Sequence, residues 1–168
     1  MAAEIVKVYK EHFPAVQLIG KCYFEEGRKD GGFSHKWEQW FEDGLFEKLE
    51  NEIFALENGG DYLGAMRYAG GQFKYRIGIF FPKGAAVPDG FEGVDIAAFD
   101  GVTCFVSGDE SKGEVYGMAV CDMVEAKIKE QGFSVKEGGW WIERYNKARF
   151  TTPDSAGNVI LDYCVSVI

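Results

Sequence analysis

From Ala15 to Phe24 the chain reads AVQLIGKCYF, apolar positions alternating with polar or small ones, which predicts a β-strand before the Gly-rich, charged loop EEGRKDGGFSH. The period then lengthens. Trp37, Phe41, Leu45, Leu49 and Ile53 recur every four residues, predicting one continuous helix with Ser34 as its cap and Asn58-Gly59-Gly60 as its stop. Strands are predicted over Tyr62–Tyr68 and Phe73–Phe81, joined as a hairpin through Ala69-Gly70-Gly71-Gln72. PKGAAVPDG, with two prolines and two glycines, cannot continue a central strand and is a connector.

The same order then returns. A strand region from Gly93 to Val106 leads through the polar loop GDESKG to a helix expected over Glu114–Gln131, with Tyr116, Val120, Val124 and Ile128 as its ridge and Gly132 as its end. Strands follow over Trp140–Tyr145 and Val159–Val167. Each half is therefore strand, helix, strand, strand, an α+β pattern with one repeat over about 1–82, a connector at 83–90 and a second repeat over about 91–168. Arg67-Tyr68 takes the place of Arg144-Tyr145, and YRIGIFF from Tyr75 that of YCVSVI from Tyr163, so Met66 stands where the second repeat has Glu143.

Composition narrows the function. A net charge of −9 and the lack of a Lys/Arg cluster argue against direct nucleic-acid binding, because counterion release requires a basic face. Cationic ligands are compatible with it. With 14 Phe, 8 Tyr and 4 Trp, the chain has more rings than a core of this size needs, which suggests an aromatic-lined pocket. The opening MAAEIVKVYKEH has no signal-peptide pattern and no long apolar run follows, so a soluble, cytoplasmic chain without membrane contact is expected. Cys22, Cys104, Cys121 and Cys164 form no CxxC pair and read as buried free thiols; no metal site or cofactor is expected. The Gly-rich loops match no phosphate-binding pattern and read as turns.

One stretch breaks the rule that apolar strands exclude charge. In Gly139-Trp140-Trp141-Ile142-Glu143-Arg144-Tyr145, alternation puts Trp141, Glu143 and Tyr145 on one face and Trp140, Ile142 and Arg144 on the other. A buried ionised Glu costs several kcal/mol, roughly, unless paired. The residues alone leave two readings open: a ligand-facing carboxylate, or an ion pair with Arg67, Arg76 or Arg149 or simple exposure at a strand edge.

The duplicated order, the aromatic-x-Glu-x-Tyr strand Trp141-Ile142-Glu143-Arg144-Tyr145 after the second helix, and the final strand LDYCVSVI together resemble the GyrI-like family, the effector-binding domain of AraC-type and BmrR-type regulators. The resemblance covers nearly the whole chain. It implies two βαββ units related by a pseudo-twofold axis, with antiparallel sheets around a central cleft that takes bulky hydrophobic, often cationic compounds. Glu143 then belongs on the cleft floor with Trp141 and Tyr145. Tyr68 and Met66 of the first hairpin, Tyr163 of the last strand and, more remotely, Trp40 join it as ligand-binding candidates. In this scheme Trp140 and Ile142 form the helix-covered core, since a carboxylate under a helix would lack partners, and Arg144 snorkels at the sheet margin.

Two further activities follow from the resemblance. Some stand-alone GyrI-like proteins hydrolyse the strained cyclopropane of genotoxic cyclopropanoid compounds, which would make Glu143 a catalytic residue that orients or activates water. Because the duplicated domain occupies the 168 residues, no helix-turn-helix is expected beside it. Family namesakes act as gyrase inhibitors, so an interaction protein is the third reading.

Overall fold

The computed structural model describes residues 3–52 and 60–168. It is a mixed α+β fold of antiparallel strands and helices, and the chain divides into two compact units. The first combines the N-terminal strand with Asp100–Ile168; the second is Pro14–Phe99.

In the second unit, β2 (Val16–Phe24) precedes α1 (Ser34–Glu42) and α2 (Leu45–Glu52), and β3 (Tyr62–Ala69), β4 (Gln72–Phe81) and β5 (Glu92–Ile96) follow. The strand order is β3-β4-β2-β5, and β4 and β5 both run antiparallel to β2. The expected single helix is two. At Gly44 the backbone turns left-handed, with φ 63°, a conformation that a helix interior of L-residues avoids. The ridge therefore divides: Leu45 and Leu49 are buried, whereas Phe41 is 61% exposed and Trp40 fills the core in its stead. Phe33, not Ser34, holds the N-cap position, with no side-chain hydrogen bond there. Ile53 and the Asn58-Gly59 stop lie outside the described residues.

In the first unit, β1 (Glu4–Phe13) lies beside β6 (Phe99–Asp109), followed in the sheet by β8 (Asn158–Ser166) and β7 (Trp141–Tyr145). The helix α3 (Met118–Glu130) is shorter than expected because Gly117, at φ 98°, breaks the backbone ahead of it. Tyr116 thus precedes the helix, while Val120, Val124 and Ile128 form its buried stripe. A one-turn helix, α4 (Lys147–Phe150), follows β7 and is capped by the Asn146 side chain. The strand region predicted over Gly93–Val106 divides between the units, β5 joining β2 and β6 joining β8.

Both units carry strand, helix, strand, strand in the same order. Their cross-strand pairs correspond as well: Met66 faces Tyr75 in one hairpin and Glu143 faces Tyr163 in the other, with both tyrosines buried. No helix among the described residues is long and apolar enough to cross a membrane.

Candidate functional site

The site is built from rows of residues running across the strands of the first unit. One row joins Cys104 of β6, Tyr163 of β8 and Glu143 of β7; the next joins Phe105, Asp162 and Arg144. Because consecutive residues point to opposite faces, these rows lie on opposite sides of the sheet.

The first row faces α3. Cys104 and Tyr163 belong to the core cluster with Val120, Val124 and Ile128, and Trp141 and Tyr145 pack against it. This reverses the expected assignment of faces: the alternation in GWWIERY holds, but Trp141, Glu143 and Tyr145 are on the helix side, and Ile142 shares the other side with Cys164. The helix-covered face is not wholly apolar, for it carries polar groups beside the carboxylate. Tyr163 donates its hydroxyl to the Val115 carbonyl at 2.6 Å, and Tyr116 donates to Glu110 at 3.3 Å.

Glu143 is 8% exposed on this face. Its charge is felt by the groups around it. Burial is the main cause that raises the phenols of Tyr116 and Tyr163 and lifts the Cys121 thiol to about 11, and Glu143 adds to the rise in each, behind Glu110 at Tyr116. Trp141 meets Tyr163 edge-on at 6.3 Å, and Tyr145 meets Phe150 edge-on at 4.9 Å. The Trp141 Nε1–H is shut off from solvent and has no acceptor among the described residues. An unmet buried donor costs about 1–3 kcal/mol.

The second row is ionic. Asp162, fully buried, accepts from Arg144 Nε at 2.8 Å and from Arg149 Nε at 3.0 Å, and Arg149 also reaches its second oxygen. Arg144 forks onto both oxygens of Glu11, at 3.0 and 3.2 Å, and Thr103 donates to Glu11 at 2.8 Å. Arg144 is thus anchored rather than snorkelling, and Arg149 pairs with Asp162. Neither this network nor β1 emerged from the pattern, although an Arg and an Asp, each inside an apolar strand and directly opposite one another, carry the signal.

The remaining candidates lie in the second unit. Trp40 is fully buried and donates Nε1–H to the Tyr23 hydroxyl at 2.8 Å. Met66 packs against the core cluster containing Trp40, Phe46 and Tyr75. Tyr68 is 63% exposed at the hairpin end, donating to the Gly71 carbonyl at 3.3 Å. The structure thus gathers Glu143, Trp141, Tyr145 and Tyr163 on one face and adds Tyr116 and Cys121, which the sequence pattern places on the helix ridge and among the thiols but not at the site. All four cysteines are free thiols, Cys104 and Cys164 buried, Cys22 and Cys121 half-buried. Among the described residues no three His, Cys, Asp or Glu side chains are placed to hold a metal ion.

No protein-family model matches the chain. No curated protein matches it either. Solved structures do. A Staphylococcus aureus MU50 protein assigned to bacterial transcription regulation matches with a TM-score of 0.67 at 14% identity, over 96% of this chain and 97% of that one. SAV2435 bound to tetraphenylphosphonium matches with 0.70 at 14% identity, over 97% and 94%. The C-terminal domain of EcmrR matches with 0.60 at 9% identity, over 96% and 97%; in the EcmrR–DNA complex the match spans 57% of the EcmrR chain. At these identities the likeness is one of fold.

Proposed function

We propose that the chain is a GyrI-like small-molecule-binding domain that takes a bulky lipophilic cation against the α3-facing side of the first unit. The observation that carries this reading is a carboxylate, Glu143, only 8% exposed among Trp141, Tyr145, Tyr163 and Tyr116. Rings supply apolar area and the electron-rich faces that attract cations, while a carboxylate in surroundings of low dielectric acts far more strongly than in water. The two arginines that follow it in sequence are committed to Asp162 and Glu11 on the other face.

The fold shared with SAV2435, whose structure holds tetraphenylphosphonium, supports the ligand class. Met66 at the corresponding place of the second unit supports a role for Glu143 that the sheet itself does not require.

Calorimetric titration with tetraphenylphosphonium tests the reading. Wild-type protein binds the cation, and Glu143→Gln, which keeps the side-chain shape, weakens binding by about tenfold or more through loss of a low-dielectric charge pair. Equal affinity in both proteins overturns the assignment of Glu143.

A further inference from the structure

The rings and the carboxylate account for a lipophilic cation, and the same face also carries an indole N–H that such a cation does not use. The Trp141 indole is part-exposed and packs against the core cluster of the first unit, two residues from Glu143 on the same side of β7. Its Nε1–H has no acceptor among the described residues. Three other ring donors are engaged. Tyr163 donates to Val115, Tyr116 to Glu110 and, in the second unit, Trp40 to Tyr23. Buried polar groups in native proteins are overwhelmingly satisfied, so an unpaired donor beside a site calls for a partner from outside the chain or for a functional role.

We propose that Trp141 is a specificity-determining residue whose indole N–H donates to an oxygen acceptor on the ligand, so that the preferred ligand is a lipophilic cation bearing a carbonyl or ether oxygen. This rests on the reading of the Glu143 face as a cation site and adds a second element of recognition to it. Glu143 can attract charge but, as a carboxylate, it can only accept hydrogen bonds; an oxygen acceptor needs a donor, and Trp141 provides one. A site that holds a donor for a ligand group discriminates against analogues lacking that group, because the donor then remains unpaired. The nitrogen is shut off from solvent, so a ligand makes this bond only by seating closely against the ring and replacing what now excludes water from it.

The test uses matched pairs of cations: tetraphenylphosphonium carrying one acetyl group at the ortho, meta or para position, each against the isopropenyl analogue of the same shape. Wild-type protein binds at least one acetyl isomer about threefold to tenfold more tightly than its counterpart, the range expected for one net hydrogen bond. Trp141→Phe erases that preference, binding the two members of each pair equally, whatever the smaller ring does to the affinity they share. Absence of a preference at all three positions, or its persistence in Trp141→Phe, overturns the inference.

Should Trp141→Phe fail to fold, the indole N–H resonances of the 4 tryptophans in the wild type carry the test. One moves downfield with the acetyl ligand and not with its analogue; none moving overturns the inference. Glu143→Gln separates the two claims. If it weakens both members of every pair and no acetyl preference exists, the indole inference fails and the cation site stands. If it changes neither affinity while Trp141→Phe still removes the preference, the cation site fails and the indole contact stands.

Discussion

Two adjacent residues of β7 have opposite fates, and the difference lies in what each meets across the strand. Arg144 meets Asp162 and is held by it and by Glu11, whereas Glu143 meets Tyr163 under α3. Removing one member of a buried ion pair leaves its partner charged and unsolvated. Arg144→Met is therefore expected to cost about 3–5 kcal/mol of stability, measured by urea unfolding; a loss too small to resolve would show that the network is not buried as described. Glu11 gives a pH signature. Burial pushes its carboxyl up, but hydrogen bonds and charge from Arg144, with Thr103 and Tyr9, hold it on balance below its ordinary value of 4.5. A carboxyl depressed on folding contributes stability that is complete above its unfolded value and is lost as pH falls through the folded one. Thermal midpoints should thus separate wild type from Glu11→Gln at neutral pH and converge below about pH 4.5, and a constant gap down to acid would contradict this.

At the scale of elements, periodicity was a good guide wherever one face of a strand or helix is buried. Val120, Val124 and Ile128 of α3 and the hairpin of β3 and β4 follow from spacing alone. Spacing did not reveal the helix break at Gly44, because the apolar ridge continues across it and only the backbone angle changes. Nor did it reveal β1, whose Val6 is half exposed and whose Glu11 is turned inward toward Arg144, so that its pattern does not alternate cleanly. It separated the faces of β7 correctly and named Glu143, Trp141 and Tyr145, but which face α3 covers depends on β6 and β8, residues distant in sequence. The break itself is testable. Gly44→Ala forces an L-residue into the left-handed region and should destabilise by about 1–2 kcal/mol, whereas a neutral or stabilising effect in urea would mean that α1 and α2 form one helix.

For the whole molecule the competing explanation of cation binding is the net charge of −9, which attracts any cation weakly and nonspecifically. Salt separates the two origins, since exposed charges about 10 Å apart or more are screened at 0.1 M and a buried pair is screened much less. In the proposed binding mode one carboxylate, Glu143, and not the acidic surface, holds the ligand. Calorimetric titration of tetraphenylphosphonium into wild type and Glu143→Gln at low and high salt distinguishes the two origins. Wild-type affinity is expected to survive high salt, and Glu143→Gln to be weaker by about tenfold or more at both ionic strengths. Equal affinity of the two proteins at low salt, lost equally from both at high salt, would contradict it.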